Sequence, residues 1–179
     1  YGPTTAYGSS TFGGSLAAGK VPQTVATPIQ GLASGTIFHY RLLAVHSGFP
    51  PTYGADAIFM TQPAVPPTPR VRATVTPQRA RHRPFVFATS GTIAGPGWIP
   101  AQFACVGEVK VRFMHGRQTV ALTVAAVQPN CTFAAQTVLT RKPGRGSRHR
   151  RVSLQVRIRF VGNGYLAVGR DGKKSVVVG

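Results

Sequence analysis

Residues 141–160 read RKPGRGSRHRRVSLQVRIRF and join the most basic loop of the chain to its cleanest strand. From residue 152 the pattern has a period of two. Val152, Leu154, Val156, Ile158 and Phe160 take one face, while Ser153, Gln155, Arg157 and Arg159 take the other. That is the pattern of a half-buried antiparallel strand, whose apolar face has to be covered by a second sheet. The preceding loop is crowded with Arg, and such side chains are almost never buried without a partner, so it belongs in water or against an anion. The stretch thus predicts a β-sandwich and a surface for negative charge together.

A chain of 179 residues, 42% of them hydrophobic, holds one large or two small domains with ordinary cores. Its charge is far from ordinary: 21 Lys plus Arg stand against Asp56, Glu108 and Asp171, a net of +18. Residues 1–66 hold only Lys20, Arg41 and Asp56, a net of +1, which leaves 19 bases, two acids and a net of +17 for residues 67–179. A field of that kind recruits polyanions, whether nucleic acid, anionic wall polymer, acidic polysaccharide or lipid headgroups. The excess of 16 Arg over 5 Lys, with much Gly and Pro, is also what codon bias in a GC-rich genome produces, so a solvated surface without a partner stands beside that reading.

Cys105 and Cys131 are the two cysteines, and both lie in the basic half. An even count without CxxC spacing suits a disulfide better than a metal site, which implies an oxidising compartment. The first residue is Tyr1 rather than Met, as in a processed or excised piece. The longest apolar run, residues 120–127, is interrupted by Thr123 and too short to cross a bilayer, so no membrane insertion is expected.

Residues 1–62 alternate short apolar runs with turn residues and lack a helical period, an all-β pattern. Strands are expected at residues 21–29, 37–45 and 55–61, with Phe38, Tyr40, Leu42 and Ala44 sharing one face. Residues 62–69, QPAVPPTP, read as a stiff linker, so the division is 1–62, a Pro-rich linker at 63–69, and a basic domain at 70–179. The basic domain reads as seven strands: 70–76, 84–92, 107–114, 118–127, 131–140, 151–161 and 164–178. The last is expected to be interrupted at 169–173, and Asn163-Gly164 is the strongest hairpin signal. Trp98, within GPGWIP, is expected to cap the core from a loop.

The run GLASGTIFHYRLLAVHSG followed by TYGADAIFMTQ resembles the second half of a bacterial fibronectin type III domain, and the opening YGPTTAYGSSTF resembles that family's third strand and following hairpin. Phe38 stands where the family has its corner tyrosine, which implies a looser corner. The family's first two strands have no counterpart. The resemblance therefore implies either a piece of a longer chain or a neighbouring subunit that donates a strand to residues 1–62. In the second half, PRVRATVTP, a Pro-Phe strand, Cys-x-Gly-x-Val-x-Val and a later Asn-Cys-Thr-Phe resemble the immunoglobulin-like modules of secreted actinobacterial proteins. That likeness implies a sandwich at the cell surface or outside the cell.

Two glycine motifs fail on context. GSLAAGK at residues 14–20 has Val21 where a phosphate loop needs a hydroxyl, and GNGYLA at 162–167 has no helix after it. Three acids spread over both halves do not supply paired carboxylates, no Ser has a nucleophile-elbow context, and His39, His46, His82, His115 and His149 lack ligand spacing. No enzyme, cofactor or metal site is expected. The bases do form a constellation, because the first, third and fifth connections of such a sandwich share one pole. Arg79, Arg81 and Arg83 lie in the first, Arg117 in the third, and Arg141, Lys142, Arg145, Arg148 and Arg150 in the fifth. Arg157 and Arg159 continue the surface onto a sheet face, with Lys110 and Arg112 on the adjoining strand. Guanidinium groups suit phosphate or carboxylate, and few aromatics interleave, so an anionic polymer of the cell surface is favoured over nucleic acid. The expected function is a structural or adhesive segment of a surface protein or filament, with polyanion binding as the alternative.

Overall fold

The computed structural model describes residues 1–17, 19–144 and 151–179. The chain is all-β and divides into two compact units, Tyr1–Ala64 and Val65–Gly179. In the first unit β1 (Ile37–Tyr40), β2 (Leu43–Ala44), β3 (Thr52–Tyr53) and β4 (Ala57–Met60) form two antiparallel pairs, β1 with β4 and β2 with β3. Phe38 lies opposite Phe59, with ring centroids 5.5 Å apart. Gly2 bridges to His39 on β1 and ties the start of the chain to this sheet.

Three expectations are corrected here. The strand expected at 37–45 breaks after Tyr40, and its shared face ends there too: Phe38 is buried, whereas Leu42 is exposed. The one expected at 55–61 shortens to β4. Residues 21–29 carry no strand, because Pro22 and Pro28 remove ladder donors and the apolar side chains between them find no opposing face. Phe38 and Met60 are the large buried apolar side chains of this unit, while Phe12 is 98% exposed.

The second unit contains β5 (Arg70–Thr76), β6 (Arg79–Ala80), β7 (Phe85–Ala94), the single-turn α1 (Ala101–Ala104), β8 (Glu108–His115), β9 (Gln118–Ala126), β10 (Thr132–Leu139), β11 (Val152–Phe160), β12 (Gly169–Arg170) and β13 (Lys174–Val178). One sheet runs in the order β10-β7-β5; the other runs β6-β13-β11-β8-β9, with β12 also pairing β11. All pairs are antiparallel except β13 with β6.

Strict alternation explains why β11 is central to its sheet. Val152, Leu154, Val156, Ile158 and Phe160 are all buried, and the residues between them are exposed. Phe87 of one sheet meets Phe113 of the other with centroids 5.2 Å apart, and Phe133, Leu154 and Phe160 fill the interior around them. At the side where β9 and β10 approach, Thr123 and Thr137 hydroxyls bond at 2.7 Å and join the two layers. Gly91 of β7 leaves room for Phe133: a Cβ there would stand 2.6 Å from that ring and 2.3 Å from the Arg72 carbonyl oxygen.

The turn at Asp171 closes the opposite side. Its Oδ2 accepts the Ala73 amide of edge strand β5 at 2.9 Å and the Lys174 ammonium at 3.1 Å, and its Oδ1 accepts the Gly172 amide at 2.7 Å. The final expected strand, 164–178, is thus interrupted as its Asp-Gly dipeptide indicates, but residues 164–168 are not strand.

Asn163-Gly164 does not form a two-residue hairpin, because β11 and β12 pair as far as Phe160 with Gly169 and leave an eight-residue connection, 161–168. Asn163 organises that connection through its side chain. Its Oδ1 accepts the amides of Tyr165 and Leu166, and its Nδ2 donates to the Val106 carbonyl at 2.8 Å. Trp98 does not cap the core either. It is 51% exposed, and the neighbouring Ile99 is buried in its place.

The later part of the expected linker has a definite position. Pro67 accepts the Ala167 amide at 2.9 Å, and Pro69 is buried against Gly169, so residues 65–69 belong to the second unit. Cys105 and Cys131 form a disulfide that joins the turn after α1 to the segment entering β10.

Candidate anion-binding surface

Strand register places the basic loops. Thr76 lies opposite Ala88, and Leu139 opposite Phe85, so β5 ends, β7 begins and β10 ends at one end of the first sheet. In the other sheet Val152 faces Val178, which sits beside Ala80, and His115 faces Gln118. Pro77 and Gln78 connect β5 to β6, which puts both sets at the same pole. The connections that begin after Thr76, His115 and Leu139 therefore leave the two sheets at one pole, away from the disulfide.

At this pole Arg81, Arg83, Arg117 and Arg141 are exposed and Lys142 is half-buried. Arg145, Arg148 and Arg150 lie outside the described residues, as does His149. Arg79 is not a free loop cation. It sits in β6 opposite Val177, with its Nε buried and without a hydrogen-bond partner. Desolvation, then the neighbouring Arg151 and Arg81, lower its pKa below the usual guanidinium range.

Arg157 and Arg159 stand on the outer face of β11, where the pairing concentrates charge. Arg157 is directly opposite Arg112, and Arg159 is directly opposite Lys110 on one side and Arg170 on the other. Like charges in direct cross-strand register destabilise a sheet. Among the described residues the ion pairs are His39 with Asp56 and Lys174 with Asp171, so none of these five bases has a carboxylate partner. Together with the 171–173 turn they line a half-open cavity of about 520 Å³.

Sequence reasoning did not find Arg170 and Lys173. The Asp171-Gly172 dipeptide marks a turn, but only the pairing of β12 with β11 brings Arg170 alongside Arg159, with Lys173 lining the same cavity. Nor is the basic surface continuous. Ser153 and Gln155 lie between the pole and Arg157 on the outer face of β11, opposite Val177 and Ser175. The charge falls into two patches, the loop pole and the outer face of β8, β11 and β12.

In the first unit, Asp56 accepts a hydrogen bond from the Tyr7 hydroxyl at 3.1 Å and lies 2.9 Å from His39 Nδ1. The Arg41 guanidinium stacks over the Tyr7 and Tyr53 rings at 4.5 and 4.0 Å. The His39 hydrogen bond is the main cause that holds the Asp56 carboxyl below its ordinary value. These groups fasten the start of the chain to β1 and β4. No family model matches the chain, and no curated protein matches it. Among the described residues no helix is long and apolar enough to cross a membrane.

Proposed function

We propose that this chain is a non-enzymatic extracellular or cell-surface protein whose second unit binds an anionic polymer. The observation that carries the reading is the cross-strand register of Lys110, Arg159 and Arg170 beside Arg112 and Arg157, five bases without an ion-pair partner among the described residues. Bringing such groups together opposes folding, and a bound anion reverses the sign of the interaction. The convergence of Arg81, Arg83, Arg117 and Arg141 at one pole adds a second contact region. A disulfide is compatible with an oxidising compartment, which favours wall polymer or acidic polysaccharide over nucleic acid. The three-stranded sheet facing a larger one, with β6 parallel to β13, supports an immunoglobulin-like reading of this unit.

The test is binding to heparin or an anionic wall polymer at 50 and 200 mM salt. Affinity is expected to fall by orders of magnitude across that range, because several neutralised charges release counterions. Charge reversal at Arg81 and Arg117 together with Arg157 should abolish it. Absence of binding at low salt overturns the proposal.

A structural role in a larger surface assembly is favoured by a different observation. The first unit buries few large apolar side chains and exposes Phe12, Val21, Val45 and Phe49, so a strand from a neighbouring subunit has an apolar surface to cover. Concentration-dependent self-association that is lost on Phe12→Ser and Val45→Ser would support it, and a monomer at all concentrations would end it.

A further inference from the structure

We infer that the cavity between β8, β11 and the 171–173 turn is a discrete site for a small ring bearing several phosphate or sulfate groups, distinct from the loop pole. The inference rests on the polyanion reading and narrows it to a ligand class. Its first basis is charge density. Lys110, Arg159 and Arg170 form a row across three adjacent strands, and Arg112 with Arg157 forms a second row two residues along. Strand geometry sets about 4.8 Å between neighbours in a row and about 6.8 Å between rows. The five Cα positions thus fall within a patch of roughly 10 by 7 Å. An extended polymer with one charge per residue would engage a single row. Adjacent oxyanions on one ring match both.

The second basis is shape and composition. At about 520 Å³ the cavity has the size of a small-ligand cleft, which commonly spans roughly 300–1,000 Å³. Arg supplies forked donors that grip a tetrahedral oxyanion in pairs. The one carboxylate on the rim, Asp171, is already committed. Both of its oxygens hold protein donors, on Ala73, Lys174 and Gly172, so it fixes the turn and leaves the five bases unneutralised. The third basis is isolation: Ser153 and Gln155 separate this patch from the pole, so the two patches can be tested independently.

The experiment is isothermal titration of the whole chain with inositol hexakisphosphate and with a sulfated disaccharide, against inorganic phosphate and an oligogalacturonate of equal charge. Dense ligands are expected to bind with one-to-one stoichiometry, about tenfold or more tighter than the sparse ones, and R157Q or R159Q should weaken them by about tenfold or more. R81Q and R117Q should leave them unchanged. A second readout needs no ligand: if these bases repel one another, R157Q and R159Q melt higher than the parent at low salt. Inositol hexakisphosphate alone binding identifies a phosphorylated source, and the disaccharide alone a sulfated one; either supports the site. Dense ligands binding no tighter than sparse ones, or loss only in the pole variants, overturns this inference while leaving polymer binding intact. Failure of heparin and all four probes at low salt removes both.

Discussion

Arg157 lies directly opposite Arg112 across the β8–β11 pair, so two guanidinium groups occupy one cross-strand position on an exposed face. A like-charged pair so placed lowers stability by about 0.2–1 kcal/mol, and salt screens it. Arg112→Thr is therefore expected to raise the melting temperature of the second unit at low salt. The gain should shrink as sodium chloride approaches 0.2 M. Calorimetry at both salt concentrations checks it.

Gly91 has no room for a side chain. A methyl group there meets the Arg72 carbonyl oxygen and the Phe133 ring, one backbone and one buried aromatic, and neither can retreat freely. Gly91→Ala is expected to lower stability by about 1–3 kcal/mol, the usual range for an overpacked core. Denaturant titration followed by a probe in the second unit measures the effect.

The disulfide spans a sequence separation of 26 residues and lies wholly in the second unit. In the chain-entropy view its removal destabilises that unit by roughly 3 kcal/mol. C105S/C131S should melt earlier by that margin in the second unit and leave the first unchanged. Residue-resolved hydrogen exchange separates the two.

Asp171 joins a strand edge, a turn and a lysine through a largely buried carboxylate. Asp171→Ala leaves the Ala73 amide and Lys174 without that partner and is expected to destabilise by about 1–3 kcal/mol. Faster exchange of the Ala73 amide, relative to its neighbours on β5, would locate the effect.

Asp56 titrates below an ordinary Asp because His39 bonds to its carboxylate. The folded pKa is lower than the unfolded one, so the contribution to stability is complete above about pH 4 and is lost as pH falls through the folded value. Carbon-detected NMR titration should show a midpoint below the ordinary Asp value, and it should move back up in His39→Ala. At near-neutral pH the first unit should keep its fold in that variant.

Regular alternation made most of the second unit legible. Residues 70–76 and 152–160 emerge as strands almost as their pattern dictates, since a period of two with one apolar face has a single stable placement. Residues 21–29 misled because apolar spacing survives there while the prolines remove pairing. The dipeptide at 163–164 misled because a local turn preference yields to the longer pairing of Phe160 with Gly169. β6 spans two residues and has no pattern to detect. Connection order alone placed the pole, whereas Arg170 and Lys173 reach the sheet face through a pairing that no local pattern encodes.

The contact between Asp171 and the Ala73 amide also bears on how copies of this protein meet. β5 borders its sheet, and a bare border recruits strands from other molecules. Here a side chain already holds the central donor, and the turn that delivers it stands in the path of an incoming strand. Lateral growth through the basic unit is obstructed at that margin.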